Sequence, residues 1–213
     1  KTDVNLYSKL NPFNIKESIP LKDSDIFNIP YLSIDTEKKI IKFKEKKIFI
    51  RKPLIIPYNY KLIVESGSNI VFKDEGFIVS KSPLLFVGSE SNPISIINTS
   101  QKNTNGIIIL NAKENSLFNN VIFNNLTNIK YNSWLLPGAL TIYQSPITIS
   151  NCVFENSKSE DALNIVRSNF EINNIKFYES RSDAIDIDFS EGNLSNIFIE
   201  NSGNDGLDLS GSK

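Results

Sequence analysis

The 213-residue sequence has no histidine and no methionine, one cysteine and one tryptophan. Without histidine, a Ser-His-Asp triad, a Cys-His dyad and His-ligated zinc or iron are excluded. Cys152 has no partner for an internal disulfide. Neither sign of charge is in excess: 23 Lys and Arg face 24 Asp and Glu, net −1. That removes the global electrostatic case for nucleic acid. No run of about 18 apolar residues occurs, so no membrane-spanning helix is expected. The chain opens on Lys1 and is expected to be a processed or excised piece.

What is abundant is isoleucine (32), asparagine (28) and serine (26), and they recur. Ser182–Ile187 (SDAIDI) matches Asn204–Leu209 (NDGLDL) at a shift of 22. Glu160–Val166 aligns with Ser182–Asp188 at the same shift. One repeat earlier the shift is 23, and Ile147, Ile149, Cys152 and Phe154 fall on Phe170, Ile172, Ile175 and Phe177. Such a period is too short for a pair of helices. Within it apolar residues alternate, as in Ile185, Ile187, Phe189, and Asn, Ser, Asp and Gly punctuate the runs. Alternation of β-branched and aromatic residues is a strand pattern. The grammar of a leucine-rich repeat is missing. The reading is a parallel β-solenoid, in which residues one period apart stack at about 4.8 Å.

The register predicts inward columns: Leu140, Leu163, Ile185, Leu207; Ile142, Ile165, Ile187, Leu209; Ile149, Ile172, Leu194; and Phe154, Phe177, Ile199. Each buried side chain of this kind contributes roughly 1.5–3 kcal/mol. Cys152 shares a column with Ile175 and Ile197, a small apolar role. Asn120, Asn151, Asn174 and Asn196 form a column expected to be an asparagine ladder in a turn. Residues 1–35 show no repeat and read as an irregular lead-in; residues 36–213 read as the solenoid. Residues 36–52 carry eight Lys or Arg against two Glu and are expected to cap its first coil. A basic patch for an anionic glycan or nucleic acid is the sharper reading of that segment. The strand ending near Lys213 is expected to leave an edge that a further domain or chain would cover.

Chemistry points to the acidic end. Residues 155–213 hold 12 Asp or Glu against 5 Lys or Arg. Asp161, Asp183 and Asp205 form one column. Asn164, Asp186 and Asp208 form another, outward because Ile185 and Ile187 face in, and Asp188 lies outward beside Asp186. Stacked carboxylates repel and need compensation by a cation, a proton or turn amides. Calcium takes several oxygen ligands, and Asp183, Asp186, Asp188, Asp205 and Asp208 are the candidate donors. A shared proton would suit glycoside hydrolysis. Residues 126–137 (LTNIKYNSWLLP) interrupt the repeat as a loop insertion. Its Trp134 and Tyr131 are candidates for stacking on a sugar ring; the alternative is that the insertion folds back over the solenoid wall.

A resemblance adds to this. Leu62–Phe72 (LIVESGSNIVF), Pro83–Ser89 (PLLFVGS) followed by Asn92–Ile96, and the Asn-x-x-Phe units beginning at Asn120, Asn151 and Asn174 resemble coils of right-handed parallel β-helix proteins of the pectin-lyase-like superfold. The resemblance spans roughly residues 53–213 and implies fold more than function, because that superfold hosts lyases, hydrolases, epimerases, adhesins and spikes. Its lyases imply a strong base near the cation; Arg167 and Arg181 are the only arginines in the acidic region. Its polygalacturonase-like and epimerase members imply a histidine that this sequence lacks. Two readings follow. One is a non-catalytic extracellular or surface module that binds polysaccharide or serves as an adhesin or fibre scaffold. The other is a lyase or hydrolase using Asp186, Asp188, Asp208 and Arg167, with Asn164 touching substrate.

Overall fold

The computed structural model describes residues 25–102, 104–131 and 134–213. It is a parallel β-solenoid of about seven turns with a spacing near 23 residues. One wall is a ladder of β4 (Leu54–Ile56), β7 (Ile78–Ser80), β10 (Ile107–Leu110), β15 (Gly138–Tyr143), β17 (Asp161–Val166), β19 (Asp183–Asp188) and β21 (Leu207–Ser210). A second wall begins with β2 (Ile40–Phe43), β5 (Lys61–Glu65), β8 (Leu84–Val87) and β11 (Ser116–Asn119). A third begins with β3 (Lys47–Ile50), β6 (Asn69–Phe72), β9 (Ile94–Asn98) and β12 (Val121–Asn124). Both continue into the long bent strands β16 (Ile147–Glu155), β18 (Asn169–Ser180) and β20 (Glu191–Ser202).

The bends explain the asparagine. In the later coils three corners per turn take positive φ: Gln144, Asn151 and Asn156 in one coil, Arg167, Asn174 and Glu179 in the next, Phe189, Asn196 and Asn201 in the next. Asparagine tolerates the left-handed region better than other side chains with a Cβ. The expected asparagine ladder is mixed. Asn174 Nδ2 donates to Asn151 Oδ1 at 2.7 Å, but Asn151 and Asn196 donate to Asn119 Oδ1 and Asn173 Oδ1, one position off the column. A serine ladder is more regular. Ser145, Ser168 and Ser190 N–H groups donate to the Oγ of Ser168, Ser190 and Ser212 at 3.0–3.1 Å. Each Oγ of Ser145, Ser168 and Ser190 donates in turn to the carbonyl two residues back, at 2.8 Å.

The inward columns pair in the expected register. Leu140, Leu163, Ile185 and Leu207 align strand to strand, as do Ile149, Ile172 and Leu194. Phe123, Phe154 and Phe177 stack with ring centroids 4.4 and 4.8 Å apart, tilted by 14°, the offset geometry aromatic pairs favour.

At the N-terminal end the lead-in is described from residue 25 on. The described lead-in is ordered into a 3-10 turn, Ile26–Asn28, and β1 (Leu32–Asp35), which pairs antiparallel with β2. Ile26 and Leu32 are buried on the first coil's core. Residues 36–52 supply β2 and β3, paired parallel with β5 and β6. Part of the basic charge is met by the following coil, where Glu65 pairs with Lys42 and Lys46 and Asp74 with Arg51. At the other end β20 and β21 each carry a strand on one side only among the described residues, and Leu207 and Leu209 are exposed.

Candidate functional site

The outer face of the first wall changes character along the solenoid. One column runs Ile55, Val79, Ile108, Thr141, Asn164, Asp186, Asp208. Its apolar rungs form a second small core with Phe77, Leu110 and Tyr143. The insertion covers that core: β13 (Ile129–Tyr131) and β14 (Trp134–Leu136) form an antiparallel hairpin, with Ile129 buried in the cluster and Leu136 packed on it. The hairpin thus lies on the wall. The backbones of Tyr131 and Trp134 pair with each other, while their side chains lie outside the described residues.

Beyond the hairpin the face is acidic. Asn164 is 3 % exposed and donates from Nδ2 to Asp186 Oδ2 at 3.0 Å. It supports the carboxylate beside it. Asp161 is also 3 % exposed, and its Oδ2 has no hydrogen-bond partner among the described residues. The Thr141 hydroxyl is likewise buried without one. Burial first, then the charges of Asp186, Glu160 and Asp183, push the Asp161 carboxyl up to about 7. Burial, then Asp188 and Asp208, push Asp186 up to about 6. Asp188 is raised by desolvation and by Asp208.

Asp183 plays a double part. Its Oδ1 accepts from the Asp205 N–H at 2.9 Å and from Asn204 Nδ2 at 2.8 Å, which fixes the turn one coil on. Carboxylate oxygens of Asp183, Asp205 and Asp208 lie within 4.8 Å of one another, a spacing that an oxygen-loving cation could bridge. Asp186 sits one rung below Asp208 in direct register. Of the expected donors, Asp183, Asp205 and Asp208 come together and Asp186 lies beside them. Asp188 faces Ser210 at the strand's far end.

Arg167 is not part of this group. It occupies the left-handed corner after β17, where Nη1 donates to the Tyr143 hydroxyl at 3.3 Å and the guanidinium lies 5.9 Å from the Phe189 ring centroid. Among the described residues no lysine or arginine forms an ion pair with these aspartates. The acidic face therefore holds three raised carboxyls, Asp161, Asp186 and Asp188, and among the described residues none of its aspartates is ion-paired with a lysine or arginine.

The structure also contains a site that the repeat pattern hides. A cleft of about 910 Å³ opens at the corner following the first wall, lined by Tyr58, Asn59, Tyr60, Lys61, Lys81, Lys113, Glu114 and Gln144, among others. No common spacing links these residues, so the sequence carried no signal for the group.

The fold defines the chain as a parallel β-solenoid protein. No protein-family model, no curated protein and no solved structure matches it.

Proposed function

We propose that the protein is a non-catalytic, extracellular or surface β-solenoid module that binds polysaccharide, with calcium held at the acidic end. The observation that carries the non-catalytic reading is the acidic face itself. Its aspartates are clustered for an electropositive guest, yet the one arginine on the adjoining corner is engaged by Tyr143 and Phe189. The lyases of the resembling superfold imply an arginine or lysine beside the cation, and among the described residues none is ion-paired with these aspartates. Polysaccharide as partner is supported by the rigid, repeated polar wall and by the likeness of Leu62–Phe72 to pectin-lyase-like coils. A stack rising by about 4.8 Å per rung offers a long chain a regular row of contacts.

A second reading, glycoside hydrolase, rests on Asp186, whose carboxyl is raised to about 6 beside Asp208. A raised acid beside a second carboxyl is the arrangement hydrolysis uses. Binding and turnover measured across neutral, uronate and sulfated glycans decide between them. Binding without turnover supports the module. Turnover that falls by orders of magnitude in Asp186→Asn, at unchanged melting temperature, makes it an enzyme. Absence of both binding and turnover sinks both readings.

A further inference from the structure

We infer that the outer face of the third wall is a self-association surface, on which a second copy of the chain packs turned end for end; this is independent of the polysaccharide reading. The wall has seven rungs: β3, β6, β9, β12 and the far halves of β16, β18 and β20. Its inward positions fill the core, as Ile70, Ile96, Phe123 and Phe154 do. Its outward positions on the first five rungs are also apolar: Phe49, Val71, Ile97, Ile122 and Val153. The last two rungs add Tyr178 and Phe198, with ring centroids 5.7 Å apart. Phe49 and Phe198 are exposed, and Ile97, Ile122 and Val153 are half-buried. None of the seven joins the main core or the small core under the hairpin. On the first wall the outward column of Ile55, Val79 and Ile108 is roofed by that hairpin; the third wall has no such roof among the described residues. A contiguous apolar stripe of this kind marks an interaction surface.

Charge selects the occupant and its orientation. Lys47 Nζ lies 5.5 Å and Lys73 Nζ 4.9 Å from the Phe49 ring centroid, so two ammoniums flank the ring at the first rungs. Neither is ion-paired among the described residues, whereas Arg51 and Lys102 are matched by Asp74 and Glu75. The last three rungs carry Glu155 and Glu200 against Lys176, all outside these ion pairs. A copy aligned the same way would set ammonium against ammonium. A copy turned end for end, about a twofold axis along the middle rung, sets the first rung on the seventh. Lys47 then meets the rung of Phe198 and Glu200 at both ends of the interface, and Ile122 on the fourth rung packs on its own counterpart. A surface that pairs with itself about a twofold axis is the usual way identical chains associate. Two sheets stacked face to face at about 10 Å form the core of a sandwich in the same manner. Seven rungs of about 4.8 Å, crossed by strands of four or five residues at about 3.3 Å each, give a face roughly 30 Å by 15 Å. That is at the small end for a specific interface, so the association is expected to be reversible and to weaken with salt.

The test is sedimentation equilibrium of the whole chain across a concentration series at low and high salt, with melting curves to show that each variant folds. The expected result is a monomer–dimer equilibrium. Ile122→Lys should weaken it at least tenfold, because two ammoniums then meet on the axis. Leu117→Lys, outward on the second wall between the buried Ser116 and Phe118, should leave it unchanged. Lys47→Glu and Glu200→Lys should each weaken it. An equimolar mixture of those two variants should recover it as a heterodimer, since each carboxylate again meets an ammonium. A wild type that stays monomeric throughout overturns the inference, as does a dimer that Ile122→Lys leaves intact. A mixture of the charge variants that fails to recover overturns the end-for-end arrangement. A monomer whose binding to a glycan is lost in Ile122→Lys gives the face to that ligand instead. Lys47 and Glu200 are exposed, so the charge variants keep the test open if Ile122→Lys unfolds.

Discussion

Asn164 and Asp186 stand one coil apart in the same column, and the buried amide of the first donates to the carboxylate of the second at 3.0 Å. This bond sets the order of the acidic face. Below it lie the buried Thr141 hydroxyl and Asp161 Oδ2, which have no hydrogen-bond partner among the described residues. Above it lie Asp205 and Asp208, open to solvent.

Stability is expected to depend on pH through Asp161 and Asp186. Both carboxyls are raised in the folded chain, to about 7 and about 6, from the ordinary 3.8. A raised acid stabilises the fold fully below its unfolded value, and that contribution is lost as pH rises through the folded value. The melting temperature, measured in a chelator, is therefore expected to fall between about pH 4 and pH 7 through these two groups. Asp161→Asn should remove most of that slope, worth up to about 4 kcal/mol at 1.36 kcal/mol per pKa unit. A slope unchanged in the variant refutes this role.

Calcium is expected to raise the melting temperature if Asp183, Asp205 and Asp208 hold it. At a hundredfold excess over Kd the gain is about 2.7 kcal/mol, or about 5–10 °C for a chain of this size. Asp208→Asn should abolish the shift while keeping the Asp183 turn bonds. No shift with the wild type removes the cation from the account.

Ser168→Ala is expected to lower stability by about 1–3 kcal/mol, because the buried Ser145 N–H then loses its acceptor. Urea unfolding reads this directly. Ser212→Ala, at the open end, should cost less.

Cys152 is expected to resist thiol reagents until the chain unfolds. It is 1 % exposed, its thiol is pushed up to about 12 by burial, and Sγ donates to the Ser150 carbonyl at 3.2 Å. Labelling that proceeds at native pH without unfolding contradicts its packing.

By itself the sequence determined the coil and its register. A strict shift of 22 or 23 makes residues such as Leu163 and Ile185, or Asp186 and Asp208, neighbours whatever the rest of the chain does. The serine ladder was legible at the same spacing, at 145, 168, 190 and 212, but serine reads as ordinary turn punctuation until its Oγ is seen bridging coils. Tertiary structure alone decided the remainder. It buried Asn164, it turned Arg167 into a corner beside Phe189, and it set β1 antiparallel against β2. It also assembled the Tyr58 cleft. Periodicity records what stacks within a wall; depth, corner direction and loop height are set by how walls meet, and no spacing along the chain encodes them.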